Sequence, residues 1–171
     1  NDPFTFTAPN YDYFVDCPLE IGTQTDFDFD VEGKKHTISF FGSANYDKQK
    51  LIDDFTTIIK KNYKFWGTVP YEHYTFIVHC TPQSGGGTEH INSTVVGVKS
   101  SAFDTDESYG AFLRLISHKF FHTWNVKQLK PKGITPYDFT KENYTSELWI
   151  AEGGTSYYDR LMLVRTRQMR I

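Results

Sequence analysis

The chain has 171 residues, 39% apolar and 17% aromatic, which is enough for one domain with a real core. Fifteen Phe and eleven Tyr predict a core built largely on rings. A net charge of −3 implies no general attraction to nucleic acid or anionic membrane. The longest apolar runs fall short of the ~18 residues a bilayer span needs, and the first residues, Asn-Asp-Pro-Phe, lack a charged and then apolar secretory signal. Cys17 and Cys80 stand alone and read as two buried thiols rather than a disulfide.

There is no internal repeat and no low-complexity linker. Residues 11–22 read as an extended lead-in broken by Pro18. Residues 25–31 alternate, with Phe27, Phe29 and Val31 on one side and Asp26, Asp28 and Asp30 on the other, the pattern of a half-buried strand. Glu32-Gly33-Lys34 turns the chain, and residues 36–41 return as the second arm of a hairpin. Asn45 or Asp47 caps a helix to about Tyr63, with Leu51, Ile52, Phe55, Ile58 and Ile59 at helical spacing. Gly67 and Pro70 break it, and residues 74–80 form a compact apolar run that predicts a buried strand. Residues 81–87 are a Pro- and Gly-rich loop, and 90–99 alternate loosely as another strand at the edge of a cleft. A helix starts at Asp104, Asp106 or Ser108 and is expected to reach about Lys127, with Phe112, Leu115, Ile116, Phe120 and Trp124 as its apolar stripe. Pro131 and Pro136 mark the following loop, and a last helix is expected from about Ser146 to Met169.

Chemistry concentrates in Ser117-His118-Lys119-Phe120-Phe121-His122-Thr123-Trp124-Asn125. Two histidines four apart on a helix project from one face, so two imidazoles can grip one zinc ion. Two helix-surface histidines are the bland alternative. Zinc peptidases write the stretch H-E-x-x-H, with the Glu as general base; here Lys119 holds that position.

Two further stretches belong with this one: Gly85-Gly86-Gly87-Thr88-Glu89-His90-Ile91-Asn92-Ser93 upstream, and Trp149-Ile150-Ala151-Glu152-Gly153-Gly154-Thr155-Ser156-Tyr157-Tyr158 downstream. Together the three resemble the glycyl aminopeptidase family of Glu-liganded zinc peptidases, whose members often carry a PDZ domain. The resemblance runs from about Tyr11 onward and implies an α+β fold: the lobe of a thermolysin-like peptidase, a mostly antiparallel sheet carrying the zinc-ligand helices. It also implies that residues 1–171 are one catalytic lobe of a larger protein, with a preceding β-domain, a helical second lobe and any PDZ domain lying elsewhere.

By the same resemblance His118, His122 and Glu152 are the zinc ligands, although a carboxylate near a helix N-terminus is the plain alternative for Glu152. Asp159, two turns after Glu152, is placed to fix a ligand imidazole, or else to pair with Arg160. Asn125 is a weaker supporting candidate. Gly86, Gly87 and Glu89 are implied to bind a peptide, with the Glu89 carboxylate holding its free α-amine. Tyr144 is an oxyanion-donor candidate by residue type alone. The implied activity is removal of small N-terminal residues such as Gly or Ala.

Lys119 conflicts with that activity. An ammonium has three donors and no acceptor, so it cannot take a proton from water. About 5 Å from a divalent ion it is repelled by roughly 6–7 kcal/mol at an effective dielectric near 20. The long stem is expected to relieve this by swinging away to water. The resulting expectation is an intact ligand set without hydrolysis, or else a module that binds peptides or partner chains without cutting them. Gly154, where the family usually has an aromatic residue, is a second departure.

Overall fold

The computed structural model describes residues 5–168, and residues 1–4 and 169–171 lie outside it; the last helix, expected to run from about Ser146 to Met169, ends at Arg165. Four helices and a five-stranded sheet follow one another as α1 (Tyr11–Val15), β1 (Thr25–Val31), β2 (Lys34–Gly42), α2 (Lys48–Trp66), β3 (His73–Cys80), β4 (Gly87–Glu89), β5 (Ser93–Val98), a 3-10 turn (Ser100–Phe103), α3 (Asp106–Phe121), a π-helical turn (Trp149–Gly154) and α4 (Thr155–Arg165). The fold is α+β, as expected.

The sheet order is β1-β2-β3-β5-β4. β1 pairs antiparallel with β2 through a two-residue turn, Glu32 at φ 52° and Gly33 at φ 80°, the left-handed pair that matches strand twist. β2 and β3 are parallel, as are β3 and β5, and only β4 returns antiparallel to β5. The sheet is therefore mixed, which corrects the expectation of a mostly antiparallel one. The reason is topological: α2 lies between β2 and β3 in the chain, and a helical crossover brings the second strand back parallel to the first.

Register puts alternate residues on one face: His36, Ile38 and Phe40 of β2 lie beside Tyr74, Phe76 and Val78 of β3. All six are buried, and the helices cover them. Phe55 of α2 meets Phe76 edge-on at 4.8 Å, and Phe120 of α3 meets Tyr74 edge-on at 5.0 Å. Truncating a ring such as Phe120 to Ala would cost about 3–5 kcal/mol by leaving a cavity.

Helix ends follow their chemistry. The Asp47 side chain accepts from the Lys50 N–H, and Gly67 closes α2 at φ 69°. Thr105 and Ser108 form a reciprocal capping box at the start of α3. α3 stops at Phe121 rather than near Lys127, and irregular turns carry the chain through Asn125 to Val126 at φ 139°, a backbone region that a β-branched residue rarely adopts. Cys17 is half-buried and Cys80 buried, both as free thiols. Among the described residues no helix is long and apolar enough to cross a membrane.

Candidate metal centre

α3 is pinned to the sheet by Phe120 and to α4 by Phe121, whose ring stacks on Tyr158 at 5.4 Å. That orientation turns His118 and His122 toward the chain segment that opens α4. There the backbone forms a π-helical turn carrying Glu152. Such turns widen a helix by one residue and are frequent at functional sites. The three side chains converge: one ligand atom from each of His118, His122 and Glu152 lies within 4.8 Å of the others. His118 Nε2 is 3.2 Å from Glu152 Oε2, His122 Nε2 is 3.7 Å from it, and the two Nε2 atoms are 3.0 Å apart.

The outer nitrogens fix the tautomers. His122 Nδ1 donates to the Asn125 carbonyl at 2.9 Å, and a carbonyl can only accept. His118 Nδ1 donates to Asp159 Oδ2 at 2.8 Å. With both Nδ1 protons spent outward, the rings in their neutral forms present lone pairs inward, toward each other and toward a carboxylate. Three acceptors thus meet with no hydrogen between them. A cation reconciles them, and an N, N, O donor set suits zinc. Burial pushes His122 below the usual imidazole range, against partial compensation by Glu89 and the Asn125 carbonyl, which favours the neutral form that ligates.

Asp159 is buried and bridges two partners, accepting from His118 on one oxygen and from Arg114 Nε at 3.2 Å on the other. Ser117 donates to its backbone carbonyl at 3.1 Å. The pairing is thus with His118 and Arg114, not with Arg160. Asn125 contributes twice: its carbonyl orients His122, and its amide donates to Ile150 O, Ala151 O and Thr155 Oγ1 at 3.1, 3.3 and 2.9 Å, tying the turn after α3 to the π-helical turn. Arg114 and Thr155 were not singled out in the sequence. Arg114 lies one helical turn before His118, a spacing that could have drawn attention to it.

Lys119 does not extend to water, contrary to expectation. Its Nζ donates to Glu89 Oε2 at 2.8 Å, and the two side chains are only 13% and 19% exposed. Burial alone would raise the Glu89 carboxyl, but the nearby His122 and the Lys119 hydrogen bond and charge outweigh it and hold it below the usual carboxylate range. Glu89 sits on β4, the edge strand, in register with Thr94 of β5.

The two glycines before it serve the sheet. Gly86 adopts φ 74°, and a Cβ on Gly87 would fall 2.8 Å from the Val95 carbonyl oxygen, so β4 lies against β5 only without a side chain there. Behind Glu89, His90 Nδ1 and Lys127 Nζ both meet Asp16 Oδ1, at 3.2 and 2.7 Å, which fastens the segment after α1 to this corner. Tyr144 is 75% exposed and its hydroxyl donates to Glu142; no contact joins it to the His118, His122 and Glu152 group among the described residues. At Gly154 the nearest atom to an added Cβ would be Asn125 Nδ2, at an ordinary 3.8 Å.

Two histidines at the end of α3 and a carboxylate from a later turn, on an α+β scaffold beside a sheet edge, make a group with the ligand atoms to hold a metal ion. Residues 111–170, which hold all three, match the M61 glycyl aminopeptidase family. The chain is also similar to the crystal structure of an aminopeptidase N family protein from Idiomarina loihiensis, at 34% identity and a TM-score of 0.90 over 95% of this chain. The chain spans 29% of that protein's length. No curated protein matches it. The two likenesses support the glycyl aminopeptidase family for this chain, and with it a peptidase domain.

Proposed function

We propose that the chain is the zinc-binding lobe of a thermolysin-like aminopeptidase, part of a larger protein, and that it grips a peptide without hydrolysing it. The observation that carries this reading is the meeting of three acceptors, His118 Nε2, His122 Nε2 and a Glu152 oxygen, within 4.8 Å. His118, His122 and Glu152 are the ligands; Asp159 and the Asn125 carbonyl hold the two imidazoles in the ligating tautomer. Zinc, when bound, polarises a peptide carbonyl and lowers the pKa of a bound water. The edge strand β4 offers backbone groups to an extended peptide beside this group. Glycyl or alanyl amino termini are the substrates that the family implies.

Hydrolysis also needs a group that takes a proton from water and passes it to the leaving amine. General bases of this kind contribute about 10²–10⁴-fold. Lys119 stands where the base belongs, and its ammonium donates to Glu89. It can neither accept a proton nor approach as a free base. This favours a site that has kept its ligands and lost its turnover, whose remaining work is binding.

Assays of zinc-loaded protein with glycyl and alanyl aminoacyl substrates test the reading, run on the parent and on Lys119→Glu. The parent is expected at background and Lys119→Glu well above it. Zinc-dependent hydrolysis by the parent would contradict the proposal. Zinc and peptide binding without any gain in Lys119→Glu would favour a dedicated binding module over a disabled enzyme.

A further inference from the structure

The Lys119 ammonium is itself held as a ligand by Glu89. It is a primary alkylammonium, bound at 2.8 Å by a carboxylate on the sheet edge beside the metal-ligand group. The same chemistry would recognise a peptide amino terminus, which is also a primary ammonium. In this chain the carboxylate is already matched. Resting on the peptide-cleft reading above, we infer that Lys119 sets the ligand class: the cleft takes peptide segments without a free amine at Glu89, either N-blocked ends or internal stretches.

Both partners stand on fixed backbone. Glu89 is held in the β4–β5 ladder, with Thr94 Oγ1 also donating to the Thr88 carbonyl at 3.0 Å. Lys119 lies in the last turn of α3, between the buried Ser117 and Phe120. An incoming ammonium must therefore displace one that is tethered, and a short tether gives a high effective concentration. If it succeeded it would sit beside the displaced Lys119 charge, and like charges at that distance repel. A blocked or internal segment avoids both costs, because a neutral amide at the same place asks nothing of Glu89. The sheet edge itself is indifferent to the change, since its N–H and C=O groups read backbone rather than termini.

The test compares a glycyl tripeptide with its N-acetylated form, binding by calorimetry to zinc-loaded parent and to Lys119→Met, which keeps the stem length and removes the ammonium. The parent is expected to bind the two within about twofold of each other or to favour the acetylated form. Lys119→Met, with Glu89 released, is expected to favour the free amine by tenfold or more. Tenfold preference for the free amine in the parent overturns the inference, as does the absence of any gain in a zinc-bound Lys119→Met. If Lys119→Met does not fold, Glu89→Gln asks the same question: the ratio of the two affinities should stay at its parental value, and a selective tenfold loss for the free amine refutes the inference. Failure of the underlying reading looks different: zinc is not held by His118, His122 and Glu152, or neither peptide binds either form, and the inference then falls with it.

Discussion

Two groups built around histidines in this domain differ in kind. His36 is fully buried on β2; its Nδ1 donates to the Lys34 carbonyl at 2.9 Å and its Nε2 accepts from the Tyr71 hydroxyl at 3.0 Å. Tyr63 completes that group, 2.9 Å from Tyr71. Every ring nitrogen is spent on a neutral partner, and the cluster is closed. At His118 and His122 only the outer nitrogens are spent, and the inner ones face each other and Glu152 at 3.0–3.7 Å. A structural imidazole uses both its nitrogens within the fold. A ligating one is held by one nitrogen and presents the other to further acceptors, which only a cation can satisfy.

The contrast predicts opposite responses to mutation. Asp159→Asn removes the charged acceptor that holds His118 in its tautomer, and loss of such a partner costs about 10–100-fold in metal affinity. Zinc competition with a chromophoric chelator should read that loss. His36→Phe, in the closed cluster, should leave zinc affinity within about twofold of the parent while lowering the melting temperature. Equal zinc losses in both variants would erase the distinction between the clusters.

A smaller effect sharpens it through pH. Burial pushes His36 down to about 4 from its ordinary 6.5, with the Lys34 carbonyl and Asp30 working the other way. In the window between those two values the unfolded chain binds more protons than the folded one. Stability from this group is therefore complete above about pH 6.5 and is lost as pH falls toward about 4. Denaturant unfolding of the zinc-free protein at steps across this window should show the decline, and His36→Phe should flatten it. A decline of equal slope in that variant would assign the effect to carboxylates instead.

Much of this was legible in the sequence, because strong periodicity and capping residues are local signals. The hairpin of β1 and β2, α2 between Asp47 and Gly67, and the start of α3 near Asp106 all follow from residues within a few positions of each other. What was missed depends on distant partners. β4 is only Gly87–Glu89, too short for any alternation to register, and it exists because Gly87 lets it lie against β5. The parallel pairing of β2 with β3 was implicit in a strand–helix–strand order but is not encoded in either strand alone. The π-helical turn at Glu152 and the early end of α3 rest on the Asn125 side chain, whose three acceptors lie 25 to 30 residues away.

The site divides in the same way. The His118 and His122 pair is written in helical spacing, and Glu152 came from motif context. The Asn125 carbonyl has no side-chain signature, and Arg114 shows itself only once Asp159 is seen to need a second partner. Lys119 announced a conflict in the sequence, but its resolution, an ion pair with Glu89 thirty residues upstream, requires the fold.

The most direct measurement is zinc binding to the parent and to Glu152→Gln, followed by calorimetry with total metal checked by elemental analysis. The account predicts one zinc per chain in the parent and a loss of affinity of at least a hundredfold in Glu152→Gln. Equal affinity in the two proteins, or zinc retained after His118 and His122 are both replaced by Ala, would contradict it.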